Sequence, residues 1–334
     1  GKAGLVGMPL NWRLAPAELV NLLKDSEAAV IIADEHHAPV VDGMRDDLPF
    51  VRRFIHLEGP REGWLSYQEL LDRASDQEPE AEVLSGDPLC LFYTSGTTGK
   101  PKGVVLTHGG VMQNSAEGAA LQLGLTPDDV AVEVMPLFHV GGMWFHLFAN
   151  FVAGCTTVIE ESFVPDRTLE ALRQYRATNI HLVPTMIGAL TSVPGVEQNP
   201  PQDLRLLFYA GSSIPEELLR RALKVFTHSG FVQSYGSTEG GICTTLGAKD
   251  HLEAISVPGR ESLLQSCGKP LGDAKIKLLG PDGQEAPQGE IGEVTVKGGK
   301  TMLDAAKMLA MTAHDFLTSS ELREKVKKEF EASK

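Results

Sequence analysis

Cysteine is scarce in this 334-residue sequence: Cys90, Cys155, Cys243 and Cys267 are the only four, and they stand far apart. No pair has the close spacing of a zinc site or a small disulfide framework, so buried, reduced thiols in a cytoplasmic protein are expected. Basic charge is short as well, with 30 Lys and Arg against 44 Asp and Glu for a net charge of −14. That balance argues against a general nucleic-acid or anionic-membrane partner, while leaving room for one locally positive nucleotide site. The start, GKAGLVGMPLNWRL, lacks the basic residues and apolar block of a signal peptide. The most apolar region, Val140 to Ile159, is interrupted by Gly141, Gly142, His146, Asn150 and Gly154. A buried helix followed by a buried strand fits it better than a membrane span. There is no internal repeat. What the sequence does have is apolar material, 42 % of residues, enough for a core spread over two or more subdomains.

Short apolar runs alternate with helix-period segments. The helical APAELVNLLKDSE, with Pro near its first turn, precedes AAVIIADE, which reads as a buried strand. LCLFY, DVAVEVMPL, CTTVIEE, NIHLVPT, LRLLFYAG and FVQSY read as further strands. VMQNSAEGAALQLG, TLEALRQYRAT and PEELLRRALKVF read as helices between them. This alternation predicts an α/β fold, parallel sheets with helices on both faces, over residues 1–265. From Ser266 to Gly298 two alternating strands around Gly/Pro turns predict a small β-rich appendage. Residues 299–334 read as a helical tail with a capping-box pattern at Thr318 and Glu321.

Four stretches carry chemistry. LFYTSGTTGKPKG runs from a strand into a loop of hydroxyls and glycines. It is not a Walker loop, because Pro101 stands where the second glycine belongs. Thr94, Ser95, Thr97 and Thr98 still offer hydroxyls, Gly96 and Gly99 let the backbone approach an anion, and Lys102 supplies charge. The loop is expected to follow a strand of the parallel sheet, where ligands bind beyond the carboxyl ends; the plain alternative is a flexible surface loop. In FVQSYGSTEGG a strand ends at Tyr235, a flat face for a purine. Thr238 and Glu239 follow, a hydroxyl and a carboxylate that make sense near phosphate if Mg²⁺ lies between. An ordinary turn with a solvated Glu is the alternative. In MPLFHVGGM, His139 lies beside two glycines that leave room for a ligand, although a satisfied core histidine is the commoner outcome. In LLFYAGSSIPEEL a strand meets a helix through small residues, Ala210 to Ser213, which can receive an adenine or a carboxylate.

In their order along the chain, YTSGTTGKPKG, MPLFHVGGM, YAGSSIP and YGSTE resemble the successive core motifs of the AMP-forming acyl-CoA synthetases, within the adenylate-forming superfamily. The resemblance runs from Gly1 to about Gly298. It implies a ligase that joins ATP and a fatty or aromatic carboxylic acid into an acyl-adenylate and then passes the acyl group to coenzyme A. It implies that the Thr94–Lys102 loop holds the β- and γ-phosphates. Gly211, Ser212 and Ser213 would border the adenine, with Tyr235 against its ring. Thr238 would contact the α-phosphate and Glu239 would bind Mg²⁺. His139, Gly141, Gly142 and Trp144 would shape the acyl channel. Thr238, Glu239, Lys102 and His139 are thus the catalytic candidates, acting by position and charge without a nucleophilic side chain.

The sequence departs from the family at both ends. GKAGLVGMPLNWRLAPAEL resembles a segment well inside the family's chain. After GEIGEVTVKG the family would continue into an aromatic-rich stretch, a T-G-D motif that holds the ribose, and a mobile domain with the adenylating lysine. Here KTMLDAAKMLAMTAHDFLTSSELREKVKKEFEASK follows instead, faintly similar to the last helices of M20-type amidohydrolases. Losing one preorganised charge contact costs about two to three orders of magnitude in rate. The expectation is therefore a truncated ligase with little adenylation; the alternative is an inactive nucleotide- or acyl-binding or fusion protein.

Overall fold

The computed structural model describes residues 1–94, 101–272 and 274–297. Ser95 to Gly99, Thr318, Glu321 and the whole stretch from 298 onward lie outside them. Two compact units divide the chain between His108 and Gly109.

In the first unit, β1 (Val30–Ala33), β2 (Arg53–His56) and β3 (Leu65–Ser66) form a parallel sheet. The helix Pro16–Ser26 starts with Pro at its first turn, where no amide is needed. It buries Leu19, Val20 and Leu23 against Ile31, Ala33, Val41 and Trp64. β1 alternates exposed and buried residues, so only one of its faces is covered, and the expectation of a fully buried strand is corrected. β4 (Pro88–Thr94) and β5 (Lys102–Thr107) pair antiparallel as their own two-stranded ribbon, with Thr94 opposite Lys102. The strands on either side of the hydroxyl- and glycine-rich stretch are thus antiparallel partners, and among the described residues β4 is bridged in parallel only by Gly7 at Cys90. Two apolar runs joined by a Gly-rich loop fit parallel and antiparallel neighbours alike, and strand pairing chose the antiparallel arrangement.

The second unit is built on β6 (Val130–Glu133), β7 (Thr156–Ile159), β8 (Asn179–Leu182), β9 (Leu206–Tyr209), β10 (Gly230–Ser237), β11 (Gly241–Leu246) and β12 (Lys269–Pro270). Their order across the sheet is β12-β11-β10-β9-β8-β6-β7. β6 through β10 are mutually parallel, while β11 pairs antiparallel with β10 and β12 antiparallel with β11. β7 lies at the edge and is half-exposed, not buried as its composition suggests. β13 (Lys275–Leu279) and β14 (Glu293–Lys297) form the expected small antiparallel ribbon.

The two faces of this sheet differ. One carries Val132, Ile180, Leu182, Leu207, Tyr209 and Phe231, packed against the helices Pro165–Gln174, Pro184–Thr191 and Glu216–Val225 in a single apolar core. By the period-two rule the other face carries Glu133, Asn179, His181 and Phe208, and the helical run from Val140 to Ala153 covers it. The connection after β6 thus crosses one face and the connection after β8 crosses the other. Between these adjacent strands the sheet has its topological switch point, the place where open α/β sheets leave a crevice at their carboxyl ends.

Candidate active site

The carboxyl ends of the parallel strands gather most of the residues picked out in the sequence. His139 follows β6. Gly211, Ser212 and Ser213 follow β9 and are exposed, and Gly211 has a φ of 88°, a conformation that favours glycine. Tyr235 stands near the end of β10 and is 42 % exposed, so its ring is open to a planar partner. Within the first unit, Thr94 and the exposed Lys102 flank the loop, whose residues Ser95, Gly96, Thr97, Thr98 and Gly99 are outside the described set.

Thr238 and Glu239 occupy the tight turn between β10 and β11, a strand the sequence reading missed. Two glycines make the turn possible. A Cβ on Gly236 would lie 2.1 Å from the Gly241 carbonyl oxygen, and Gly241 has a φ of 66°. Ser237 Oγ accepts a hydrogen bond from the Gly240 amide at 3.0 Å and closes the turn. From beneath, Asn114 holds β11 with both ends of its amide. Its Oδ1 accepts from the Ile242 amide at 3.1 Å and its Nδ2 donates to the Ile242 carbonyl at 3.0 Å. Neither Asn114 nor this clamp was legible as a motif.

Glu239 is half-buried and takes part in no ion pair among the described residues. No group of three His, Cys, Asp or Glu there could hold a metal by protein ligands alone. One carboxylate beside one hydroxyl is a donor set that fits Mg²⁺, which binds through one or two carboxylates and completes its shell with water and phosphate oxygens.

His139 is exposed, so the alternative of a satisfied core histidine does not hold. Its Nδ1 accepts from the Gly141 amide at 3.0 Å and caps the turn Val140–Gly142, which leaves Nε2 to carry the proton of the neutral ring. The surrounding protein lowers its basicity by desolvation.

The two glycines beside it meet different surroundings. A Cβ on Gly142 would lie 2.8 Å from the carbonyl oxygens of both Met135 and Pro136, so the expected room for a ligand is filled there by backbone. Gly141 sits between two imidazoles: its Cβ would lie 3.1 Å from His139 Nδ1 and 3.4 Å from His181 Cε1. Trp144 is buried, and its Nε1 donates to the Val111 carbonyl at 3.3 Å. Its ring lies 2.9 Å from where a Gly241 Cβ would be, so it packs under the Thr238–Glu239 turn.

Behind His139 lies a polar network that sequence reasoning did not find. Asn150 Nδ2 donates to the His146 carbonyl (2.9 Å), leaving its Oδ1 to accept from Asn179 Nδ2 (3.2 Å). That orientation turns Asn179 Oδ1 toward His146 Nε2 at 2.8 Å, so Nε2 carries a proton. His146 Nδ1 lies 2.7 Å from Glu133 Oε2, and Glu133 Oε1 accepts from the Met135 amide at 2.7 Å. All four side chains are buried. Together they pin the turn that leads to His139. The interrupting polar residues within an apolar run, His146 and Asn150, were the available signal.

A family model described as AMP-binding enzyme matches residues 1–304. The chain belongs to the AMP-binding enzyme family. An indoleacetate–CoA ligase from Aromatoleum aromaticum is 33 % identical over 302 residues, covering 90 % of this chain and 57 % of that protein. A feruloyl-CoA synthase from an Amycolatopsis species is 32 % identical over 302 residues, covering 90 % and 56 %. The crystal structure of the anthranilate–CoA ligase AuaEII in complex with anthranoyl-AMP aligns with a TM-score of 0.78 and 26 % identity, covering 89 % of this chain and 56 % of that one. The chain thus spans a little over half the length of these AMP-binding relatives. No helix among the described residues is long and apolar enough to cross a membrane.

Proposed function

We infer that this chain provides the nucleotide- and acid-binding part of an AMP-forming acid–CoA ligase, and that its acid is aromatic. The observation that carries the reading is the gathering of His139, Gly211–Ser213, Tyr235, Thr238 and Glu239 at the carboxyl ends of β6, β9 and β10. The relatives named above, ligases of indoleacetate, ferulate and anthranilate, support an aromatic acid, while a 33 % identical fatty acid–acyl-carrier-protein ligase keeps a fatty acid as the second reading.

Attack of a carboxylate on the α-phosphorus of ATP brings anion toward anion, so the barrier falls through positioning and through donors that absorb charge. In this reading Tyr235 and Gly211–Ser213 receive the adenine, Thr238 donates to the α-phosphate, and Thr94 through Lys102 receive the β- and γ-phosphates. Mg²⁺, held through Glu239, would neutralise phosphate charge. His139 orients the acid with its Nε2–H. The acyl group would pass from adenylate to coenzyme A, with AMP leaving.

Calorimetric titration of the chain with ATP and Mg²⁺ tests the reading. Binding that weakens at least about 10-fold in both Lys102→Ala and Glu239→Ala is expected for lost charge-assisted contacts. A folded chain that binds ATP equally well in both variants would refute the assignment. Pyrophosphate release on adding an aromatic acid then separates an active ligase from a binding protein.

A further inference from the structure

His181 is the least satisfied polar side chain near the switch point. It is 1 % exposed, and among the described residues neither Nδ1 nor Nε2 has a hydrogen-bond partner. Buried polar groups are almost always paired, because an unmade hydrogen bond in a dry interior forfeits the one that water would have made. The ring is fixed by packing: it stacks on Phe208 at 4.2 Å between centroids and 22° between planes, and His146 lies at 5.7 Å. Its Cε1 points toward Gly141. Because Cε1 is the carbon flanked by both nitrogens, the polar edge of the ring faces the position where residue 141 has no side chain, across from His139.

Burial holds His181 neutral, and the nearby His146 and His139 act in the same direction, while the Gly141 backbone acts against it. A neutral imidazole offers one N–H and one lone pair. The register sets Glu133, His181, Phe208 and Val232 side by side on the sheet face at the crevice. Two residues beyond Val232 on the same face, Ser234 Oγ is also buried without a partner. A core built only for stability would place apolar groups here, as the opposite face does.

The geometry points to His181 as a specificity-determining residue that pairs with a neutral hydroxyl or N–H substituent on the aromatic ring of the acid. This rests on the reading of the crevice beside His139 as the acid's site. The fit is to a neutral substituent, because a second carboxylate or an ammonium buried against a neutral imidazole would leave its charge uncompensated.

The test is calorimetry of the chain with matched acids that differ in the polar group: indole-3-acetate against naphthalene-1-acetate, ferulate against cinnamate, anthranilate against benzoate. In the unaltered chain the polar member of at least one pair is expected to bind about 10-fold more tightly. In His181→Leu and His181→Phe the preference should fall to within about twofold, with the apolar member still binding. The thermal midpoint should hold or rise, because an unpaired polar group has been removed. A merely structural His181 predicts the reverse, a lower midpoint with the preference intact. Acids that bind with the preference unchanged in both variants would overturn the inference alone and leave ordered water as the partner of His181. Failure of every acid to bind the unaltered chain would overturn the acid-site reading, and the inference with it.

Discussion

At the scale of single residues, an ion pair with a buried carboxylate lies away from the candidate site. Asp129 precedes β6, Thr178 precedes β8 and Arg205 precedes β9, so all three sit at the amino ends of the strands. Asp129 Oδ1 accepts from Thr178 Oγ1 (2.6 Å) and Arg205 Nε (2.8 Å), while Oδ2 accepts from Arg205 Nη2 (2.7 Å) and the Thr126 amide (2.9 Å). Burial alone would raise the pKa of this carboxyl; the hydrogen bonds from Arg205, Thr178 and Thr126 outweigh it and hold it at about 2. The depressed value contributes stability above the unfolded pKa near 3.8, and that contribution is lost as pH falls through about 2. With Arg205 42 % exposed and screened, the contribution is about 1 to 2 kcal/mol. Asp129→Asn is expected to lose about that much stability at pH 7 and visibly less at pH 3, by urea unfolding, with ATP binding unchanged. None of these partners could be read from sequence, since 49 residues separate Asp129 from Thr178 and 76 separate it from Arg205. His139 was legible because its neighbours form a motif; His181 was not, because a lone histidine in an apolar strand says nothing about which face it joins.

Among the elements, the hairpin of β10 and β11 is the most sharply constrained. Gly241 has a positive φ, and its Cβ would come within 2.6 Å of Asn114 Oδ1 and 2.9 Å of the Trp144 ring. Gly241→Ala should therefore break the Asn114 clamp and tilt the turn bearing Thr238 and Glu239. The expected outcome is a loss of about 2 kcal/mol or more by denaturant unfolding, from strain and overpacking together. ATP affinity should fall alongside it. An alanine variant as stable as the parent would show that the turn relaxes freely. The end of β10 was legible as FVQSY followed by glycine. The partner strand was missed because GICTTL is short and polar enough to pass for a loop, and only pairing with Gln233 to Ser237 makes it a strand. Likewise the helix read from VMQNSAEGAALQLG is an α-helix, His108–Glu117, that continues as a π-helix, Gly118–Leu123, a distinction without a signal in side-chain period.

For the molecule as a whole, the two parallel sheets are finished differently. The sheet of the second unit is covered on both faces. Among the described residues, that of the first leaves Val30 (47 % exposed), Ile32 (55 %) and Leu65 (40 %) on one open face. All-parallel sheets are normally covered on both sides, and an apolar face in water favours association. Ile32→Lys should reduce light scattering and concentration-dependent self-association with little change in thermal midpoint, since Ile32 contributes little to the core. An equally associating variant would place the adhesive surface elsewhere. The sequence by itself determined the alternation of strands and helices, the order of the four motifs and, through them, the family. These are local or linear properties, carried by side-chain period and spacing. Only the tertiary structure decided that the strands flanking the hydroxyl-rich stretch pair antiparallel, that the sheet reverses its winding between β6 and β8, and that His181 faces Gly141 with both nitrogens unpaired. Strand pairing and facing are settled by contacts between residues tens of positions apart, where a one-residue shift in register sends every side chain to the opposite face.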